Sequence, residues 1–431
     1  MGTILTRNWL LATVATTSAA VSVSAQSDRS DRSDRNELYF GASGGYVSAS
    51  TDLGSWTEGG WSKLRYAEDG AEAFRLFAEY HGRITPTLRA RVVADYVDDA
   101  SGGIDLTEAV IDWRPIPKSR NQQQVRFGAF YPSFSLENGD RGWESPFTYS
   151  YSAINTWLGE EIRPIGAEWS LRRRLEGFRS NHELRFFAAG FYGNDPAGTL
   201  LFWRGWALHD RQSRLNDELL MPPRPFTTQP QTLEPFMETD HRPGVYAGAE
   251  WRYARRALVQ FAHYDNRADP FSFRDGQWGW GTDFDHLAVQ VSLPAELGLI
   301  VQSMAGTTEW LTAALPDGTR MPISEHVHDE FGSTFLMLTR KLGQNQRLAV
   351  RYDTFEFERP GAVPEFYGDE GEAWTVSYRI DASERFSGGI EWLRIDSTRD
   401  ILPMFYNTAP EHSEDQIRLQ FSYRLAAPRR Q

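Results

Sequence analysis

The chain has 431 residues, a formal net charge of −13, 40% hydrophobic and 13% aromatic residues, and no cysteine. Its mean hydropathy of −0.51 and the lack of any run of about twenty apolar residues beyond the N-terminus exclude helical membrane spans. The missing cysteines exclude a disulfide-stapled secreted domain and a lipid-anchored lipoprotein, and an acidic chain without a basic tract is no nucleic-acid binder.

In chain order, Arg7, the apolar stretch from Trp9 to Val23 and the small residues Val23-Ser24-Ala25 predict a secretory signal over residues 1–25. Residues 26–36 carry three copies of a Ser-Asp-Arg triplet without apolar anchors, which predicts a disordered tether. Residues 37–425 then keep a beat in which segments of roughly ten residues alternate apolar with polar. The segments lie near 38–48, 73–84, 88–97, 104–114, 124–131, 164–174, 182–193, 244–254, 257–265, 283–293, 298–306, 331–341, 347–357, 373–381, 385–395 and 416–425, and residues 426–431 form a tail. Leu88, Ala90, Val92, Ala94 and Tyr96 share one face while Arg89, Arg91 and Asp95 share the other, and Ile417 to Leu425 repeats the pattern with Arg418, Gln420, Ser422 and Arg424. The twelfth segment is ambiguous, because Phe335, Leu336, Met337 and Leu338 are all apolar.

An unpaired guanidinium in an apolar core costs several kcal/mol, so the arginine faces are expected to meet water and the opposite faces something apolar. Lipid outside and a wet lumen inside satisfy both demands. The gaps agree, since turns such as Thr85-Pro86-Thr87, Pro294-Ala295-Glu296 and Ala382-Ser383-Glu384 alternate with long gaps at 49–72, 132–163, 194–243, 266–282, 307–330, 358–372 and 396–415. The fold class expected is all-β, a transmembrane antiparallel up-and-down β-barrel of about 16 strands. At about twenty-five residues per strand with its connection, nothing is left over for a plug or a soluble domain.

Only three of the 45 basic residues are lysines (Lys63, Lys118 and Lys341). The expected inward, pore-lining basic set is Arg75, Arg89, Arg91, Arg126, Arg172, Arg185, Arg252, Arg351, Arg379 and Arg418, with Arg424, mixed with Glu79, Asp95, Glu168, Glu250 and Asp353. Charged rings on a wet wall bias which ions pass; alternatively the same residues pair across neighbouring strands and brace the lumen. The gap 132–163 is unusually apolar for an exposed loop, with Phe134, Trp143, Phe147, Tyr149, Tyr151, Ile154, Trp157 and Leu158, so it is expected to pack against something.

Sixteen segments with a long third external loop after the fifth resemble the porins of the Gram-negative outer membrane. That resemblance implies residence in the cell outer membrane amid lipid and lipopolysaccharide, a homotrimer, and passive diffusion of small polar or anionic solutes; the inward arginines predict a weak to moderate anion preference, and with no catalytic motif in the chain neither a cofactor nor an enzymatic activity is assigned. It further implies that loop 132–163 folds inward, with the acids Glu137, Asp140, Glu144, Glu160 and Glu161 facing Arg75, Arg89, Arg91 and Arg126. The stretch Trp157-Leu158-Gly159-Glu160-Glu161-Ile162-Arg163 followed by Gly166-Ala167-Glu168 is similar to the phosphate-selective porin O/P type. That branch relies on lysines, and three scattered lysines cannot build such a cluster.

Two other readings stand beside the channel. A barrel enzyme needs a hydrogen-bonded set at one rim, such as His263 with Asp265. A surface-binding or structural barrel would have a blocked lumen and a partner held by loop 194–243 through Trp203, Trp206 and Phe226. No set of metal ligands is assigned: His326 and His328 lack further ligands nearby, and the acidic stretch 367–372 could hold divalent cations or simply be solvated.

Overall fold

The computed structural model describes residues 36–97, 102–117, 119–175, 181–223, 230–314, 320–360 and 368–426. The expected signal, tether and tail, apart from Asn36 and Ala426, lie outside the described residues, as do Lys118 and Phe226. Sixteen strands, each antiparallel to the next, close into a ring: β1 (Glu37–Ser50), β2 (Gly70–Arg83), β3 (Leu88–Val97), β4 (Gly103–Trp113), β5 (Asn121–Ala129), β6 (Ile165–Arg174), β7 (His182–Tyr192), β8 (Gly244–Tyr253), β9 (Ala257–Asp265), β10 (Gly281–Leu293), β11 (Leu297–Ala314), β12 (Arg320–Leu342), β13 (Gln346–Glu358), β14 (Asp369–Asp381), β15 (Phe386–Arg399) and β16 (Glu411–Ala426). β16 pairs back onto β1, with Leu419 opposite Tyr46, so neither edge is left open. Each expected segment coincides with one strand.

The period of two sorts the faces as the sequence requires. Ile417, Leu419, Phe421 and Tyr423 face outward, whereas Arg418 and Gln420 between them are turned in and buried. On β12 the ambiguity resolves: Phe335 and Met337 are fully buried inside, while Leu336 and Leu338 are exposed outside. Trp374 and Trp392 toward the long-loop end, and Phe386 and Tyr423 toward the turn end, border an outward apolar belt of the kind a bilayer covers.

Bulges on β2 and β4 shift the phase. Ser43 pairs with Arg75 and Gly44 with Ala73, which leaves Phe74 as the extra residue, and both Phe74 and Arg75 are buried. On β4, Thr107 is extra between the partners of Val93 and Ala94, and Thr107 and Glu108 are both buried. An inserted residue lets two neighbouring side chains aim at one face, which strict alternation forbids. Opposite the long loops, Ala295 and Glu296 both take left-handed φ (59° and 60°) in the turn between β10 and β11, the geometry that joins two strands without splaying them.

The expected loop over 307–330 is largely strand, because β11 runs on to Ala314 and β12 begins at Arg320. The ladder continues with Thr307 opposite Glu330 and Trp310 opposite Val327. Polar outward residues such as Thr307 and Glu330 mark strands that have risen out of lipid, which a search for apolar outward faces passes over.

Candidate functional site

The lumen on the long-loop side is filled by loops. Loop 132–163 leaves β5 and reaches β13, eight places away in the ring of sixteen. Its segment 148–152 is held there as an extended peptide would be: Glu391 on β15 accepts from the backbone N–H of Tyr149 (2.5 Å) and Ser150 (2.7 Å), and Arg351 on β13 donates to the carbonyls of Ser150 (2.8 Å) and Tyr151 (2.9 Å). Arg351 also pairs with Glu137 (2.6 Å) and Asp353 (2.7 Å), and all three are fully buried. The second oxygen of Glu137 accepts from Ser152 N–H (3.0 Å) and Asn155 Nδ2 (2.8 Å). Ser152 caps helix α1 (Ala153–Glu161) by accepting from Asn155 N–H.

Loop 194–243 enters between β7 and β8, two strands along the ring from the origin of the first loop, and packs on it. Its helix α2 (Thr199–Trp203) leads to Trp206, whose backbone N–H donates to Asp369 on β14 (2.7 Å) and whose indole Nε1 donates to the Glu356 carbonyl on β13 (2.9 Å). Gly205 has φ 80°, and a Cβ there would stand 2.1 Å from Asp369 Oδ2, so this approach requires glycine. Lys63, from the gap after β1, bridges Asp369 (2.6 Å) and the Trp206 carbonyl (2.9 Å). Asp210 lies between Arg65 (2.9 Å) and Arg418 on β16 (2.7 Å); burial raises its carboxyl, but the two guanidiniums outweigh this and hold it far below the usual range. Between the loops, Ser213 N–H donates to the Gly159 carbonyl (3.0 Å) and Tyr151 N–H to the His209 carbonyl (3.2 Å). Trp157 lies 5.3 Å from Phe331 on β12, 5.5 Å from Phe284 on β10 and 6.1 Å from Trp206, all buried.

This corrects two expectations. Loop 194–243, read as a surface for a partner, lies in the lumen beside the inward loop 132–163. The charged wall does not meet water throughout either: Arg75, Arg351 and Arg418 point inward but are buried, paired with Asp95, Glu137 with Asp353, and Asp210. A guanidinium can leave water when ionised acceptors replace the solvent, and loop carboxylates do so here.

Toward the turns the lining stays partly open. Arg89 and Arg379 are half-buried, and Arg91, Arg126, Arg172, Arg185, Arg252 and Arg424 keep 15–27% of their side chains accessible. In most of these pairs the carboxylate lies behind the guanidinium: Arg91 is 27% accessible against 3% for Glu108, Arg126 16% against 1% for Glu168, and Arg252 15% against 5% for Glu250. At these three pairs the water-facing charge is cationic, while Glu183, Asp140 and Glu144 keep 17–22% of their side chains accessible.

The five loop acids divide. Asp140 and Glu144 reach the open half, where Arg424 lies 3.6 Å from Asp140 and Arg75 3.7 Å from Glu144. Glu137, Glu160 and Glu161 do not face the early-strand arginines. Glu160 accepts from the Trp56 indole (3.0 Å) and lies 3.4 Å from His209; burial pushes its carboxyl up, but His209 and Arg204 outweigh that and hold it low. Arg91 and Arg126 pair with wall acids instead, because those acids sit on adjacent strands. Trp203 and Trp206 are buried in the barrel and cannot present themselves to a partner. His263 pairs not with Asp265 but with Asp285 on β10 (2.9 Å), on the outer face. In the acidic stretch Asp369 is turned inward onto Lys63, and Glu370 and Glu372 lie in β14 rather than in a loop. The bulges, Lys63, Asp210 and Glu391 were missed; an isolated lysine in an Arg-rich chain was the one visible signal.

Glu161 sits where α1 meets α2. It accepts from the N–H groups of Leu200 (3.1 Å) and Gly198 (3.2 Å) and from the Trp157 indole, and burial pushes its carboxyl up to about 8. A raised pKa means its contribution to docking is complete below the ordinary carboxylate value and is lost as pH rises through about 8. The melting temperature should therefore fall between pH 6 and pH 9, and Glu161→Gln should remove much of that fall. A variant melting with the same pH slope as the parent would refute the assignment.

A closed antiparallel ring of sixteen strands with an outward apolar belt and an inward third loop is a barrel of the porin fold. Among solved structures the chain is similar to the outer membrane channel DcaP of Acinetobacter baumannii (9% identity, 90% of this chain and 96% of that chain, TM-score 0.50). It is also similar to OmpF of Salmonella typhi, solved in complex with daunomycin (9% identity, 90% of this chain and 97% of that chain, TM-score 0.50). At such identity the likeness is one of fold. No protein-family model matches the sequence, and no curated protein does either.

Proposed function

We propose that the chain is an outer-membrane porin, exported by the signal at residues 1–25, that passes small anionic solutes through a lumen narrowed by loops 132–163 and 194–243. The observation that carries this reading is the arrangement of the open half, where guanidiniums face the water and their carboxylates lie behind them. Inorganic phosphate belongs among the anions tested, given the likeness of 157–168 to the phosphate-selective type. A trimer is part of the same proposal and is read by cross-linking in detergent.

The test is single-channel recording in a planar bilayer under a salt gradient. Open steps with an anion-selective reversal potential are expected. Each exposed charge about 7 Å from a passing ion contributes ~0.6 kcal/mol in water, roughly threefold in local anion concentration. Arg91→Gln, Arg172→Gln and Arg252→Gln together should thus move the reversal potential most of the way to zero. An unchanged potential would place selectivity elsewhere.

A second reading is favoured by the buried cluster of Trp157, Trp206 and Phe331 across the lumen: a barrel kept shut by its own loops. Silent wild-type protein that conducts once the loops are released supports it over the first.

A further inference from the structure

At the root of loop 194–243 three carboxylates converge. Asp195 stands three residues past the end of β7, and Glu238 and Asp240 shortly before β8; one oxygen from each lies within 4.8 Å of the others. Asp195 is 1% exposed. Its Oδ2 accepts from the N–H and hydroxyl of Thr239, but its Oδ1 is buried and has no hydrogen-bond donor. A buried anionic oxygen without a donor is costly unless a cation meets it. Backbone N–H groups partly satisfy the other two: Gly193 (2.9 Å) and His241 (2.6 Å) donate to Glu238, and Arg242 (2.6 Å) and Asp269 to Asp240. The Arg242 side chain comes only to 3.8 Å of Asp240 and gives its closer contact, 2.7 Å, to Asp269. Burial first, with Glu238 and Asp240 beside it, pushes the Asp195 carboxyl up to about 6.

We propose that Asp195, Glu238 and Asp240 form a binding site for a hard divalent cation of the calcium type, which clamps together the two ends of loop 194–243. The donors are all oxygen, with neither imidazole nor thiolate, which selects calcium or magnesium over softer metals, and the mixture of loop carboxylates suits the larger, less demanding ion. The site also draws in the gap between β9 and β10: Trp280 N–H donates to the Asp195 carbonyl (2.7 Å), and Thr239 and Ser272 share a hydrogen bond (2.6 Å). A bound cation would thus anchor the loop that fills the lumen at the point where it leaves the wall. This inference does not depend on whether the barrel conducts. The three ligands escaped sequence reading because more than forty residues separate Asp195 from the others.

The test uses the full chain folded in detergent, stripped with a chelator and titrated with calcium by calorimetry, and with terbium by luminescence excited through tryptophan. One saturable site is expected, with a calcium Kd on the order of 0.1–1 mM, as for extracellular modules with few charged ligands, and with terbium emission sensitised by Trp280. Asp195→Asn and Glu238→Gln should each weaken it about tenfold or more, as loss of a charged ligand does, while Glu372→Gln on the outer wall leaves it unchanged. Heat-modifiable migration on gels checks the fold of each variant; if Asp195→Asn does not fold, the half-buried Glu238 decides alone. A wild type without saturable binding, or folded variants that bind as the parent does, overturns the site.

Discussion

Arg351→Met is expected to free loop 132–163 from the wall opposite its origin. The substitution leaves Glu137 and Asp353 as buried carboxylates without their guanidinium and leaves the carbonyls of Ser150 and Tyr151 without a donor. Breaking a buried ion pair by removing one partner costs about 3–5 kcal/mol. The sixteen-strand ladder does not pass through this side chain, so the loss should fall on loop docking and leave the barrel closed. The variant should still show heat-modifiable migration, yet be cleaved by protease within 140–160 and conduct in larger steps than the parent. If conductance and cleavage both match the wild type, Arg351 does not pin the loop.

Trp206→Ala carries the second large effect. The indole is fully buried, donates to the Glu356 carbonyl, and packs 6.1 Å from Trp157 and 6.2 Å from Phe331. Truncating a buried tryptophan costs about 3–5 kcal/mol in lost burial and cavity. Because that burial joins the two loops to each other as well as to the wall, loop 194–243 should undock and loop 132–163 loosen with it. Hydrogen exchange should speed up over both 196–215 and 150–162. Faster exchange in the first stretch alone would mean that the loops dock independently, and no change in either would mean that the tryptophan is not their common anchor. Combined with Arg351→Met, the effects should fall short of additive, since both remove the same docking.

These two residues differ in how much of their role could be read in advance. Arg351 belonged to the expected inward set because it alternates with outward Val350 and Tyr352, and its direction follows from the period of two alone. Its partner did not: Glu137 lies 214 residues away in sequence, and nothing in either neighbourhood pairs them. Trp206 stood in a gap rich in aromatics, which invites the reading of an exposed partner surface; only the packing against Phe331 turns it inward. Asp140 and Glu144 were expected to face arginines and do approach Arg424 and Arg75, whereas Glu160 and Glu161, at the C-terminal end of α1, are carried by the helix into the loop interface. The extra length of β11 and β12 was hidden because the cue was an apolar outward face, and that cue ends where lipid does.

By itself the sequence determined the number of strands, their closure into a ring and the face of the regularly alternating side chains, the bulges at Phe74 and Thr107 and the uniformly apolar stretch of β12 excepted. Those depend on alternation and turn spacing, which are local and repeat along the chain. What the lumen contains was decided only by tertiary structure. Whether an inward arginine meets water or a carboxylate depends on loops that cross from one wall to another, and a contact between residues a hundred or two hundred positions apart leaves no periodic trace for a sequence to display.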